Sequence, residues 1–331
     1  MPVRSTILVT FKAAPALRAA LEAHHDVLGP LGRSLPDAVA ALDPADAGRI
    51  RAVVTLGTSG LTREAMARLP ALGLVACLGS GYEGVDLVAA RERGIVVGHS
   101  PGANAATVAD LAVGLMIASI RELFAANAYL QRGEWVRRGR RASAPRGLTG
   151  RRAGIFGLGA IGERIARRCT ALEMEVGYHN RRRRDDVPWP YFATLLELAT
   201  WCDVLMVAVR ADDANRHAVT ADVLRALGPE GHVVNIARGA VIDEPALIEA
   251  LANGTIAGAG LDVFEHEPLV PDALRALPNV ALTPHLGGDT SDAAAAMGRM
   301  VLANVDAFFA GAPIPTPVPD TPARYPPVSG R

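Results

Sequence analysis

The chain has 331 residues, half of them apolar, and its 34 Lys and Arg balance 34 Asp and Glu. Such a length supports roughly two domains, each with a core that needs neither disulfides nor metals, and zero net charge leaves no global basic field for nucleic acid. Three cysteines without a close pair (Cys77, Cys169, Cys202) argue against a disulfide framework or a metal site, and no apolar run approaches the ~20 residues of a membrane span.

The expectation is a cytoplasmic protein with buried thiols, no metal, and no membrane or nucleic-acid partner. Ile7 to Phe11, Ala52 to Leu56, Leu74 to Leu78 and Ile95 to Val97 read as buried parallel strands. Helical patterns lie between them at Ala14 to Ala23, Thr62 to Leu69 and Val85 to Arg93. One long helix is predicted from about Ala103 to Gln131, apolar nearly all the way round and therefore buried on several sides, between domains or between subunits. Arg132 to Arg152, rich in arginine, reads as a surface excursion.

A second α/β unit comes next. Strands are expected at Ala153 to Phe156, Glu175 to His179, Val204 to Val209, His232 to Ile236, Ile256 to Val263 and Val280 to Leu282. Helices are expected at Ile161 to Met174, Leu195 to Thr200, Val223 to Leu227, Pro245 to Leu251 (with Asp243 as N-cap) and Ser291 to Phe309. The proline-rich tail from Gly311 is expected to be extended.

Gly157-Leu158-Gly159-Ala160-Ile161-Gly162 matches G-x-G-x-x-G. Alone the motif is weak, but here an apolar strand precedes it and a helix comes after it. Gly157 permits the tight turn, Gly159 lets backbone approach a pyrophosphate, and Gly162 lets helix pack on strand. The helix N-terminus offers free N–H groups to the anion. The next strand ends in Asn180-Arg181-Arg182-Arg183-Arg184, with no carboxylate for a ribose hydroxyl. An arginine fork suits a 2′-phosphate, so NADP (as NADPH) is expected ahead of NAD.

Three segments lie directly after strand ends, where ligands bind in such folds: Asn235 to Gly239, Leu261 to Pro268 and Leu282 to Gly288. They supply Arg238, Glu267 and His285. A 2-oxo acid needs a guanidinium for its carboxylate and a proton donor for its ketone oxygen. It also needs a carboxylate that favours the imidazolium. His266 is the rival donor, and the other histidines read as incidental.

On these residues the chain resembles the D-isomer-specific 2-hydroxyacid dehydrogenases over nearly its whole length, most closely the glyoxylate/hydroxypyruvate reductase branch that includes hydroxyphenylpyruvate reductases. The resemblance implies two Rossmann-like or flavodoxin-like α/β domains, a substrate domain of 1–100 plus 288–331 and an inserted NAD(P)-binding domain of 101–287. It implies that Arg238 binds substrate, Glu267 supports the histidine, and His285 is the acid/base. Leu56-Gly57 and Leu78 to Tyr82 resemble substrate-facing loops, the second using the Ser80 and Gly81 N–H groups. Cofactor contacts are implied at Thr107, Gly157, Gly159, Ala160, Ile161, Gly162, Asn180, Arg181, Arg182, Ala208, Val209, Ala237, Asp262 and Gly287.

The resemblance also implies a homodimer and reduction of glyoxylate, hydroxypyruvate or hydroxyphenylpyruvate to the D-2-hydroxy acid. Two departures stand out. Val209 to Asp213 replaces a proline-rich turn, and Ser143 to Arg146 lacks a tryptophan that some glyoxylate reductases lend to the partner's site. A formate or phosphite dehydrogenase and a non-enzymatic nucleotide-sensing protein are the alternatives. Glu267 argues against the first, because formate enzymes of this fold tend to carry an amide there.

Overall fold

The structure, a computed structural model, describes residues 4–30, 35–139, 144–319 and 321–322. Ser143, in the segment without the expected tryptophan, lies outside the described residues, as do 1–3 and most of the far C-terminal tail. The chain divides into two compact units, Met1–Asn104 with Thr290–Arg331, and Ala105–Asp289. The second therefore interrupts the first in sequence.

The first unit runs β1 (Thr6–Val9), α1 (Pro15–His24), β2 (Asp26–Leu28), α2 (Leu35–Ala40), α3 (Pro44–Arg49), β3 (Ile50–Leu56), α4 (Arg63–Ala67), β4 (Leu74–Leu78), α5 (Leu87–Glu92) and β5 (Val96–Gly98). Its strands pair in parallel in the order β2-β1-β3-β4-β5. Both faces of a parallel sheet are covered, so β1 and β4 are apolar runs rather than alternating ones. Three features escape the sequence reading: β2, α2 and α3, each too short to show a period.

The second unit runs α6 (Ala105–Ile120), α7 (Leu123–Gln131), α8 (Glu134–Arg138), β6 (Arg152–Phe156), α9 (Ala160–Ala171), β7 (Glu175–His179), α10 (Leu195–Trp201), β8 (Val204–Val207), α11 (Ala221–Leu227), β9 (His232–Asn235), α12 (Glu244–Ala252), β10 (Gly258–Leu261), α13 (Asp272–Arg275) and β11 (Val280–Leu282). The strands are again all parallel, ordered β7-β6-β8-β9-β10-β11. One face packs on α6 and α9, the other on α10 to α12. The chain then returns to the first unit as α14 (Ser291–Phe309), which packs on α1 and β4.

Side-chain caps mark the helix starts. Thr62, Asp86, Thr194, Thr220, Asp243 and Thr290 each accept a backbone N–H of the first turn, a contribution of about 1 kcal/mol apiece.

Two expectations need correction. The long helix is not continuous: Glu122 takes a left-handed φ of 50° and separates α6 from α7. Nor is it buried throughout. Val108 and Leu115 are core residues, whereas Phe124 and Leu130 are about half exposed and α7 buries nothing. The arginine-rich excursion contains α8. The tail docks on the first unit, where Ile314 and Val318 are buried and the Val318 N–H donates to the Val97 carbonyl. All three cysteines are free and buried, and burial pushes each thiol up to about 12. No helix among the described residues is long and apolar enough to cross a membrane.

Candidate active site

In a parallel sheet every strand ends on the same edge. The second unit therefore gathers on one edge the residues just past β6 (Gly157), β8 (Ala208, Val209), β9 (Ala237, Arg238), β10 (Asp262, Glu267) and β11 (His285, Gly287). The sheet order reverses direction around β6, between β7 and β8. A crevice for a dinucleotide opens at such a switch point.

Two of the glycines there are sterically required, as expected. Gly157 has φ +100°, and a Cβ on it would collide with the backbone of Val209. A Cβ on Gly162 would strike the Gly157 carbonyl, whereas Gly159 faces open space. Among the described residues the Gly159, Ala160 and Ile161 N–H groups meet no acceptor. An unobstructed backbone with three free donors at the start of α9 fits a pyrophosphate.

The arginines after β7 divide into two groups. Arg184 is committed to the fold: it pairs with Glu163 at 2.9 Å and with Asp186 at 2.5 Å, and donates to the Leu158 carbonyl. Arg183 pairs with Asp185. Exposed Arg181 reaches Asp212 at 3.1 Å, and Arg182 is exposed without an ion pair among the described residues. Asn180 spends its Oδ1 on the Leu158 N–H at 2.6 Å, so it ties the glycine loop to the end of β7.

At the other strand ends, His285 Nδ1 lies 2.7 Å from Glu267 Oε2. That hydrogen bond raises the imidazole pKa above its ordinary value, against the opposing effects of burial and the Arg238 charge. Burial works against ionisation of Glu267, but the bonds from His285 and the Phe264 N–H hold its carboxyl below the usual range. The pair therefore favours imidazolium beside carboxylate. With Nδ1 engaged, Nε2 is the nitrogen left to exchange a proton.

Asp262, only 2% exposed, organises the turn that carries His285. Its Oδ1 accepts from the Thr283 hydroxyl and the Leu286 N–H, and its Oδ2 from the Gly287 N–H. The Thr107 hydroxyl, in the first turn of α6, donates to the Gly287 carbonyl. Half-buried Arg238 comes just after β9, its Nη1 on the Ala237 carbonyl, while Asn235 caps the loop through the Ala237 N–H and the Arg238 carbonyl. Gly239 packs so tightly on Phe264 that a Cβ would collide with its backbone. That contact locks the Arg238 loop to the Glu267 loop.

Sequence reasoning missed one cluster here. Glu265 accepts from His217 at 2.8 Å and Arg216 at 2.7 Å, and its N–H donates to Glu244. It braces the segment bearing Glu267. His217 and Glu265 stand 48 positions apart, so no local pattern joins them.

In the first unit the ends of β3, β4 and β5 collect Leu56, Gly57, Gly79 to Tyr82, and His99. A Cβ on Gly57 would collide with the Gly81 carbonyl, and the Gly57 carbonyl accepts the Gly84 N–H at 2.8 Å. The two loops thus pack backbone to backbone. Glu267→Gln should lower the His285 pKa toward the ordinary imidazole value in an NMR titration of its ring protons. An unchanged titration would mean that the carboxylate does not control this histidine.

The chain is also similar to known proteins. Residues 113–287 match the family model for the NAD-binding domain of D-isomer specific 2-hydroxyacid dehydrogenases. A hydroxyphenylpyruvate reductase of Plectranthus scutellarioides is 38% identical over 269 residues, 81% of this chain and 85% of that protein. A 2-ketogluconate reductase of Gluconobacter oxydans is 40% identical over 271 residues, 81% of this chain and 86% of its own. The crystal structure of an NADPH-dependent glyoxylate/hydroxypyruvate reductase from Sinorhizobium meliloti, in complex with NADP and malonate, superposes with a TM-score of 0.91 at 41% identity, covering 97% of this chain and 99% of that one. The chain belongs to the D-isomer-specific 2-hydroxyacid dehydrogenase family and is an NAD(P)-dependent oxidoreductase of that class.

Proposed function

We propose that the chain reduces a small 2-oxo acid (glyoxylate, hydroxypyruvate or hydroxyphenylpyruvate) to the D-2-hydroxy acid, with NADPH preferred to NADH. The observation that carries this reading is the His285–Glu267 pair beside Arg238. A bound nicotinamide dinucleotide would supply the hydride. The glycine loop and the start of α9 would hold its pyrophosphate, with Ala208, Val209 and Ala237 along the same edge. Arg181 and Arg182 would meet a 2′-phosphate, supported by the missing carboxylate after β7 and by the NADP bound to the Sinorhizobium meliloti relative.

The chain's own groups do the rest. Arg238 offers two parallel N–H donors to the substrate carboxylate and ketone oxygen. In the first unit, the Ser80 and Gly81 N–H groups would form an anion contact. As the ketone oxygen gains negative charge, protonated His285 donates from Nε2 and Glu267 stabilises the imidazolium. Asp262 holds the His285 turn, and its Oδ2, with one hydrogen-bond partner among the described residues, keeps capacity for a carboxamide N–H.

A substrate panel with both NADPH and NADH tests the reading. His285→Ala should cut turnover on the order of 10²–10⁴-fold while leaving NADPH binding intact; wild-type turnover in that variant would refute the assignment. In the wild type, kcat/KM for reduction should fall as pH rises through the raised His285 pKa, because the donor is then lost, and oxidation should show the opposite trend. Arg181→Ala with Arg182→Ala should raise KM for NADPH roughly 10- to 100-fold, the loss of charge-assisted bonds to phosphate, with KM for NADH little changed. Equal effects on the two cofactors would count against the 2′-phosphate role.

We further propose that the protein is a cytoplasmic homodimer. Supporting the dimer, α7 and α8 bury nothing and expose Leu123, Phe124, Leu130, Trp135 and Val136, the last at 93%. A patch of this kind marks an association surface. Val136→Asp with Trp135→Ala should convert a dimer to a monomer in light scattering. A wild-type chain that is already monomeric would sink the proposal.

A further inference from the structure

The loop after β4 has two consecutive carbonyls tied to the end of β5. The Ser100 N–H donates to the Gly79 carbonyl at 2.7 Å, and His99 Nδ1 lies 3.0 Å from the Ser80 carbonyl. A carbonyl oxygen only accepts, so Nδ1 carries the proton. Both peptides are trans, and a trans peptide points its N–H opposite its C=O. Holding the Gly79 carbonyl therefore aims the Ser80 N–H, and holding the Ser80 carbonyl aims the Gly81 N–H. Both donors are turned away from β5. Among the described residues neither meets an acceptor, as befits a pair kept for an anion.

His99 is well placed to act as a fixed strut. Its N–H donates to the Thr316 carbonyl at 3.1 Å. Its own carbonyl accepts from the Thr316 hydroxyl at 2.6 Å and from Asn304 at 3.5 Å, and Asn304 is 1% exposed. The imidazole also meets the Tyr82 ring edge-on, with centroids 5.2 Å apart and planes at 89°. Backbone and ring are thus held from opposite ends of the side chain, by the C-terminal segment and by the loop itself.

We propose that His99 is a positioning residue that aims the Gly81 N–H at the substrate carboxylate. The proposal rests on the reading of the Gly79–Tyr82 loop as the carboxylate site. His99 touches neither substrate nor cofactor in this role; it acts through the peptide plane between Ser80 and Gly81. The Nδ1–H is present whether or not Nε2 is protonated, so this hold does not depend on the charge of the ring.

The test is steady-state kinetics of the full-length enzyme, with NADPH and glyoxylate or hydroxypyruvate, for His99→Leu, His99→Asn and Gly57→Val. His99→Leu removes the donor, and should raise KM for the oxo acid roughly tenfold with kcat and KM for NADPH little changed. The pH profile should keep its shape, because His285 is untouched. His99→Asn should restore KM, since an amide Nδ2 branches from Cγ as the imidazole Nδ1 does. Wild-type KM in His99→Leu, equal damage in the Leu and Asn variants, or a parallel rise in KM for NADPH would each overturn the positioning role. Gly57→Val, which displaces the loop backbone, separates this from the underlying reading. If it leaves KM for the oxo acid unchanged, the loop is not the carboxylate site and both ideas fall. If it raises KM while His99→Leu does not, only the role of His99 falls.

Discussion

Asp262 sits beneath the turn that carries His285, and the conformation of that turn depends on it. The backbone of His285 adopts φ +54°, a left-handed conformation that costs a non-glycine residue on the order of 1–3 kcal/mol. Three hydrogen bonds to the buried carboxylate, from Thr283, Leu286 and Gly287, oppose that cost. Bonds to a charged acceptor contribute about 1.5–3 kcal/mol each, the same order as the strain that they oppose. A fourth link, from the His285 N–H to the Asp262 carbonyl at 2.8 Å, joins the turn to β10 directly. The imidazole is thereby presented to Glu267 by a rigid frame, and only then does the carboxylate raise its pKa.

The charged residues after β7 likewise divide into those committed to the fold and those left at the surface. Arg184 has two carboxylate partners and a carbonyl, is the least exposed of the four arginines, and supports the glycine loop through Leu158. Its guanidinium is spent. Arg181 and Arg182 keep their charge at the surface, where an ion pair such as Arg181–Asp212 is worth little. In the first unit His99 repeats the pattern: a group that touches no ligand decides where a backbone donor points.

Much of the architecture was legible because its signals are local. A buried parallel strand such as β4 reads as an apolar run, and β4, β7, β11 and α14 fall where the sequence patterns predict. The glycine motif is legible for the same reason: its three glycines lie within six positions, and a Cβ on Gly157 or Gly162 would strike backbone. The break at Glu122 was not legible, since apolar residues continue through it and only the backbone reveals the left-handed turn. Nor was the docking of the tail, because Ile314 and Val318 find their partners on β5, more than 200 positions away.

Taken alone, the sequence determined the family and the parallel α/β class, and it singled out the dinucleotide loop and Arg238, Glu267 and His285 as candidates. These are written in short motifs whose chemistry is set by residue type and spacing. Tertiary structure decided which groups are free to act. It committed Arg184 to Glu163 and Asp186, set Asp262 under the His285 turn, joined His217 to Glu265, and brought His99 against the Ser80 carbonyl. Except for Arg184 with Asp186, those partners are remote in sequence and meet only because parallel strands end on one edge. A hydrogen bond between distant residues leaves no trace in local periodicity, so only the folded chain could reveal which side chains were already engaged.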